Sequence, residues 1–182
     1  MTIRIDSRRL ALRPLAATDI DRVAEYLGDY EVSKMLSRVP YPYDRADGIE
    51  KLRSAEANAA LWPDIEEIGF AIDHDGGLVG AISFRALHET PVIGYWLGRP
   101  YWGQGLMSEA VAAALGWLFT ACDAAAVEAS VMQENPASAA LLRKLGFDIT
   151  GADECSSLSR CAAVPAVRMR LERADFLGSS NA

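Results

Sequence analysis

The segment from Ile93 to Ala114 constrains the fold of this chain more than any other stretch. Residues 92–97 are apolar and aromatic and are followed by a glycine and a proline, which predicts a strand. The sequence Trp-Gly-Gln-Gly follows at 102–105. Beyond it, apolar residues recur at helical spacing on one face, namely Met107, Ala110, Val111, Ala114, Leu118 and Phe119. The segment therefore predicts a strand, a glycine-rich turn and a helix in direct succession.

A glycine-rich turn before a helix is a potential anion site. Glycine lets the backbone turn sharply and approach a ligand, and the first amides of a helix are free donors. Phosphate is the usual ligand of such a site, although the same glycines also suit a tight turn that binds nothing. No Lys-Ser or Lys-Thr follows Gly105, which excludes a Walker loop. Ser108 occupies the place of the third glycine in the dinucleotide fingerprint.

The same residues resemble the cofactor loop of the GNAT superfamily of acetyl-CoA-dependent N-acetyltransferases. The family loop reads Arg/Gln-x-x-Gly-x-Gly/Ala. Gly105 matches its central glycine, whereas Trp102 and Met107 depart from its first and last positions. Residues 101–110 are similar to the Tyr-Trp-Gly-x-Gly segment of the branch that includes the ribosomal-protein N-terminal (Rim-type) acetyltransferases. The resemblance implies acetyl-CoA as co-substrate and no metal.

A second stretch, residues 135–147, resembles the second cofactor motif of the family, Asn-x-x-Ser followed by Leu-Gly-Phe. Each of its polar residues also has a structural role available. Asn135 suits a helix N-cap, Pro136 a first helical position and Gly146 a left-handed stop. The two motifs occur in the order and at the separation usual in the family. The resemblance covers about Ser7 to Phe176.

The resemblance implies an α/β (α+β) fold in one domain over residues 1–182, with a core of about 7–176. It implies a mixed, mostly antiparallel central sheet that splays at the cofactor site, with helices on both faces. The residues predict strands at 8–15, 65–72, 78–84, 92–97, 126–132, 146–150 and 164–172. They predict helices after Thr18 to Gly28, around 32–36, at 44–61, from the glycine loop to about Cys122, and at 135–146. Residues 73–77 predict a hairpin turn, and residues 153–165 a loop that lies over the acceptor site.

Composition narrows the class of partner. The net charge of −7 argues against a nucleic-acid backbone and suits a cationic amine. No apolar run is long enough to cross a membrane, and the N-terminus lacks a signal-peptide core. The three cysteines have no metal spacing, which favours a reducing cytoplasm. Asp73, His74 and Asp75 adjoin one another in a turn and do not predict a metal site. We expect a monomer or a homodimer.

The family reaction is attack of a neutral amine on the acetyl thioester, followed by loss of the thiolate. We expect the loop amides of residues 102–108 and the backbone of Trp96 and Leu97 to hold acetyl-CoA, and the Leu97 amide to meet the oxyanion. Arg143 and Lys144 are candidates for a further phosphate, although late helical cations also favour the helix dipole. The predicted cofactor residues are Trp96, Leu97, Trp102, Gly103, Gln104, Gly105, Leu106, Met107, Ser108, Asn135, Ser138 and Lys144.

Proton transfer is less clear from the sequence. Many family members use a tyrosine just beyond the asparagine, whereas residues 138–141 here contain none. Ser138 matches the serine of the Rim-type branch and is either the thiolate's proton donor or a helix-capping residue. No general base stands out, and the candidates are Glu67, Glu89, Glu128 and Glu134.

The acceptor is predicted only as a class. An α-amine with a pKa near 8 is partly neutral at pH 7, whereas a lysine amine is neutral far less often. A site without a strong base therefore favours an α-amine, from a protein N-terminus or a small molecule. Tyr41 and Tyr43, in the loop 38–44, either cover the core or form one wall of the acceptor site. A non-catalytic acyl-CoA-binding or sensory module and a nucleotide-binding protein are the alternative functions.

Overall fold

The computed structural model describes residues 3–179. Its strands are β1 (Ile5–Asp6), β2 (Ala11–Arg13), β3 (Glu67–His74), β4 (Gly77–Arg85), β5 (Val92–Leu97), β6 (Ala126–Met132), β7 (Asp148–Ser157) and β8 (Ala162–Glu172). Its helices are α1 (Ile20–Leu27), α2 (Tyr30–Ser33), α3 (Arg45–Ala60), α4 (Leu106–Ala121), α5 (Pro136–Lys144) and α6 (Arg173–Ser179). Short 3₁₀ turns precede α1 and follow β5.

The described strands form one sheet in the order β1-β2-β3-β4-β5-β6-β8-β7. The pairing of β5 with β6 is parallel and joins a single pair of residues, Val92 and Glu128. The other neighbouring strands are antiparallel. Beyond Val92 the two central strands diverge, so a gap opens in the middle of the sheet. This confirms the predicted mixed sheet that splays between its two halves.

Helices cover both faces, as expected. On one face, the buried stripe of α4 packs on the inward residues of β4, β5 and β6. Every residue predicted for that stripe is buried, and Leu106 and Leu115 extend it. On the other face, α1 and α2 pack Val23, Leu27 and Val32 against the sheet. The cap predicted at Asn135 forms, since its side chain accepts from the Ser138 amide at 3.1 Å. Asp44 also caps α3, accepting from the Ala46 amide at 2.7 Å.

The loop predicted at 153–165 is wrong. These residues belong to β7 and β8, which pair over nine registered positions and turn at about 158–161. Their Ser and Ala content carries little hydrophobic signal, yet alternate side chains are buried, including Cys155, Ser157 and Val164. β8 pairs with β6, and β7 pairs with β8. These strands therefore depend on long-range hydrogen bonds rather than on local propensity.

Two predictions near the N-terminus also need correction. The strand predicted over 8–15 is only three residues long in β2, and a turn closed by the Ser7 amide and the Leu10 carbonyl at 2.8 Å precedes it. Thr18 does not cap α1. It lies inside the 3₁₀ turn, where the Asp19 carboxylate accepts from the Ala16 amide at 2.9 Å.

Arg13 is the centre of a partly buried ion network that joins three elements. Arg13 of β2 donates to Asp19 at 2.7 and 2.9 Å and to Asp73 of β3 at 2.8 Å. Asp19 is only 4% exposed, so its charge depends on this partner for compensation. The network thereby fixes the start of α1 against β2 and the β3–β4 hairpin. None of the helices within residues 3–179 combines the length and hydrophobicity needed to cross a membrane.

We expect Asp19→Asn to lower the free energy of unfolding by about 3 kcal/mol, because it removes the buried carboxylate charge that is the main partner of the partly buried Arg13 guanidinium. Denaturant unfolding measures this difference. Asp21→Asn is the matched control, since Asp21 forms an exposed pair with Arg45 and its side chain is 80% accessible. Its effect should stay within about 0.5 kcal/mol. Equal effects of the two substitutions would contradict the assignment.

Candidate active site

The turn before α4 has the geometry of an anion site. Gly105 is the N-cap residue of α4 with φ 73° and ψ 5°, and no side chain caps this helix. Gly103 also has a φ of 73°. Among the described residues, the amides of 103–108 have no hydrogen-bond acceptor. An added Cβ at Gly105 would meet only the Arg9 Nη2, at 3.7 Å. Open space therefore adjoins a row of free amides.

Two predicted site residues brace this turn with their side chains. The Trp102 Nε1 donates to the Leu97 carbonyl at 2.8 Å, and the Gln104 Nε2 donates to the Pro100 carbonyl at 2.9 Å. The Trp102 amide donates to the Arg99 carbonyl at 3.2 Å. This corrects the predicted set of loop amides, because the amide of Trp102 is not free for a ligand.

An arginine that the sequence analysis did not single out lies beside the turn. Arg9 donates to the Glu109 carboxylate at 2.7 Å and to the Gln104 carbonyl at 3.0 Å. Burial opposes ionisation of Glu109, yet its hydrogen bonds from Arg9 and Ser7 outweigh this effect and lower its pKa. The pair fastens the β1–β2 end of the chain to the turn. Nothing local reveals it, because 100 positions separate its members.

The backbone of Leu97 faces the gap between β5 and β6. The Gly98 amide donates across to the Val79 carbonyl of β4 at 2.8 Å. Backbone groups of successive residues in a strand point to opposite sides, so the Leu97 amide and carbonyl point away from β4. The backbone of Trp96 points to β4 instead, which corrects its predicted role as a second backbone contact. Trp96 still borders the cavity described below.

A tyrosine lies next to Ser138. The Tyr95 Oη is 2.8 Å from the Ser138 Oγ, although the two residues come from β5 and α5. Burial raises the pKa of Tyr95 to about 12, and the bond with Ser138 opposes that rise. The capping acceptor at the N-terminus of α5 is the Asn135 side chain, not the Ser138 hydroxyl. Residues 138–141 of the helix contain no tyrosine, whereas β5 supplies one across the gap.

These groups line one cavity of about 730 Å³, which is within the size range of small-molecule sites. All the predicted cofactor residues except Gln104 border it. Among the described residues, Lys144 and Arg85 are the two cations of its lining, and Glu134 is the one acid. The cavity extends through the sheet, since Met107 and Ser138 lie on the α4 face while Trp96 packs on the α1 face.

The aromatic loop is not brought to this cavity. Tyr41 packs on Tyr30 with ring centroids 4.9 Å apart, and Tyr43 packs in the α1–α2 cluster, where burial raises its pKa to about 12. Neither is among the residues that line the cavity. Residues 35–37, directly after α2, line it in their place. Tyr43 therefore covers the core, whereas Tyr41 lies on the surface beside Tyr30 and is 47% exposed.

Three of the four carboxylates considered as general base lie outside the lining. Glu67 binds Arg38 at 2.9 Å and Lys51 at 3.0 Å, and these bonds outweigh the opposing effect of burial and lower its pKa. Glu128 binds Arg170 at 3.0 Å. Glu134 borders the cavity but binds Arg160 at 2.9 Å. Glu89 is exposed in a turn away from the cavity.

A comparison with protein families agrees with this geometry. The family described as "Acetyltransferase (GNAT) domain" matches residues 9–148, which is more than half of the chain. The chain belongs to the GNAT acetyltransferase family. It is an acetyl-CoA-dependent N-acetyltransferase, and the free amides, the gap and the nearby cations are suited to hold that co-substrate.

Individual relatives support the same assignment. The "Uncharacterized N-acetyltransferase p20" of Bacillus licheniformis is 28% identical over 148 residues, which cover 80% of this chain and 82% of the relative. RimJ of Mycobacterium smegmatis, solved with CoA-disulfide, has a TM-score of 0.81 at 19% identity. The matched region covers 100% of this chain and 93% of the RimJ chain. Spermidine N-acetyltransferase of Vibrio cholerae, solved with CoA and spermine, has a TM-score of 0.77 at 19% identity, covering 93% and 98%. At such identities the solved structures establish the fold of this acetyltransferase.

We expect Gly105→Asn to weaken acetyl-CoA binding by about tenfold or more, because its side chain fills the space beside the free amides. Asparagine tolerates a positive φ, so the protein should remain folded. The control is Gly76→Asn in the β3–β4 turn, where φ is 80° and no atom lies within 4 Å of an added Cβ. Isothermal titration with acetyl-CoA measures both variants. Normal binding by Gly105→Asn would remove the turn from the cofactor site.

Proposed function

We propose that this acetyltransferase moves the acetyl group to the α-amine of its acceptor by direct attack on the thioester. The observation that carries the proposal is the arrangement at the gap. The Leu97 backbone faces it from one strand, and the Tyr95–Ser138 hydroxyl pair lies across it between β5 and α5. The Leu97 amide can stabilise negative charge on the carbonyl oxygen, and the hydroxyl pair can protonate the leaving sulfur.

The Leu97 amide is suited to stabilise the oxyanion. Its N–H has no partner on β4, and the neighbouring Leu97 carbonyl is held by Trp102 at 2.8 Å. A donor fixed before the reaction needs no reorganisation as charge develops. Such a donor is commonly worth about 3 kcal/mol in the transition state.

The hydroxyl pair is suited to protonate the leaving thiolate. When the carbon–sulfur bond breaks, its electron pair passes to sulfur, which takes the proton of the Ser138 hydroxyl. Tyr95 can return a proton to Ser138 through the 2.8 Å contact. The proton that the attacking amine loses then reprotonates Tyr95, so that protons balance over one turnover. With a pKa of about 12, the resting Tyr95 phenol is protonated throughout the neutral range and is available as a donor.

The acceptor class is inferred from the cavity lining, which among the described residues contains no unpaired carboxylate. The one acid of the lining, Glu134, is already bound to Arg160. An α-amine is about a tenth neutral at pH 7, roughly several hundredfold more than a lysine amine. Among the structural neighbours, RimL is described as a ribosomal α-N-protein acetyltransferase, and another is a spermidine acetyltransferase. Primary amines are therefore acceptors on this fold, and the α-amine fits this site best.

A pair of peptides tests the acceptor class. One carries only a free α-amine, and the other is N-acetylated and carries a single lysine. At pH 7 the α-amine should react faster by about tenfold or more, and the difference should shrink as the pH rises toward the lysine pKa. Thiol release from acetyl-CoA measures both rates. A faster lysine reaction at pH 7 would require a base that the proposal lacks.

Substitution of the hydroxyl pair tests the proton donor. Ser138→Ala should lower kcat by about a hundredfold, the usual worth of a general acid. Tyr95→Phe keeps the ring and should lower kcat by a smaller factor. The double variant should be no slower than Ser138→Ala, because two members of one relay act as a unit. The control is Ser156→Ala, an exposed serine of β7.

The same variants separate catalysis from packing. Loss of either hydroxyl leaves a partly buried partner hydroxyl unsatisfied and should cost about 1 kcal/mol of stability. Lowered stability with unchanged kcat in both single variants would make the pair purely structural. Multiplying effects on kcat in the double variant would instead show two independent roles.

A further inference from the structure

Arg85 is a cation of the cavity that the proposed reaction does not use. It lies at the end of β4, opposite Val92 of β5 and Glu67 of β3. Val92, Gly94 and Trp96 of β5 lie on the same face of the sheet as Arg85. On that face Trp96 packs toward α1. The turn before α4 lies on the opposite face, so Arg85 is remote from the free amides that suit the cofactor's phosphates.

The guanidinium of Arg85 has no counter-charge among the described residues. It makes no ion pair or side-chain hydrogen bond there. The acid opposite it, Glu67, is occupied by Arg38 and Lys51. The acid opposite Val92, Glu128, is occupied by Arg170 at 3.0 Å. Other basic residues therefore neutralise the two flanking acids, and the half-buried Arg85 faces the cavity without an acidic partner.

The sheet surface beside Arg85 is open. Gly69, Ser83 and Gly94 lie opposite one another on β3, β4 and β5. Both glycines are exposed although their strands are central. An added Cβ at Gly94 would meet only the Ser83 Oγ, at 3.8 Å. This strip leads along β5 from the level of Arg85 toward Trp96 and the gap.

The distance sets a limit on the ligand. Val92 and Trp96 are four residues apart on one strand, or about 13 Å at the rise of a β-strand. A long arginine side chain shortens this span. A ligand that reaches from the gap to Arg85 therefore carries its reactive nitrogen and its anionic group several ångström apart.

We propose that Arg85 binds an anionic group of the acceptor, so that this enzyme prefers primary amines that also carry a remote carboxylate or phosphate. The inference rests on the proposed acetyl transfer and adds the substrate class. Guanidinium groups bind both anions through paired hydrogen bonds, and such charge-assisted bonds are stronger than neutral ones. Lys144, the other cation of the lining, lies at the end of α5 and remains for the cofactor.

The experiment uses three peptide amides that share one N-terminal residue and contain glutamate, glutamine or arginine at the second and third positions. A phosphate-bearing primary amine and its alcohol analogue form a second arm that separates small-molecule from peptide acceptors. We expect kcat/KM for the glutamate peptide to exceed that for glutamine by about tenfold or more, as a charge-assisted bond predicts. The corresponding ratio for the phosphate amine should have the same sign.

Variants at position 85 assign the preference. Arg85→Gln should remove it, and Arg85→Glu should reverse it in favour of the arginine peptide, while KM for acetyl-CoA stays within about twofold. The control is Arg53→Gln, which removes an exposed arginine of α3 outside the lining. It should keep the wild-type preference.

The outcomes separate the two proposals. Equal rates for all charges in the wild type, or an unchanged preference in both Arg85 variants, would overturn the anionic acceptor and leave acetyl transfer intact. No thiol release with any amine, despite a normal melting shift with acetyl-CoA, would overturn the proposed function. A weakened acetyl-CoA interaction in Arg85→Gln would reassign Arg85 to the cofactor.

Discussion

The separation of β5 from β6 is the constraint on which the rest of this structure depends. The strands share one registered pair at Val92 and Glu128 and then diverge. In a closed sheet the Leu97 amide would donate a hydrogen bond to the adjacent strand, because a buried backbone donor without a partner is costly. Here the unpaired edge faces a cavity. The indole of Trp102 satisfies the Leu97 carbonyl and leaves the amide as the group that awaits a ligand.

The two halves of the sheet are held on either side of that gap by separate sets of interactions. The Arg13–Asp19–Asp73 network fixes β2, β3 and the start of α1 on one side. The β6–β8–β7 ladder fixes the other side through continuous antiparallel pairing. Helix α4 spans the break, since its buried residues contact strands of both halves. The opening therefore does not divide the core.

On the face of the sheet away from α4, charged residues form one row across the strands. Acids and bases alternate across one row from Glu67 through Arg85 to Glu128 and Arg170. Glu67 and Glu128 both have basic partners, whereas Arg85 has none among the described residues. A chain with a net charge of −7 has ample acid available. An unpaired cation in its cavity therefore reflects placement rather than composition, and it suggests that the acidic surface attracts the amine while Arg85 orients the rest of the acceptor.

The sequence by itself determined the family, the strand–turn–helix at the cofactor loop and the cap at Asn135. These features depend on residues close together in the chain, such as the positive φ at Gly105 and the apolar stripe of α4. Only the tertiary structure decided that residues 153–165 pair as strands, that Tyr41 and Tyr43 lie away from the cavity, and that Tyr95 meets Ser138 across 43 positions. Strand pairing and side-chain contacts across a sheet arise from long-range packing, which local propensity does not encode. The direction of the Leu97 amide belongs to the same class, because the register of β4 against β5 sets it.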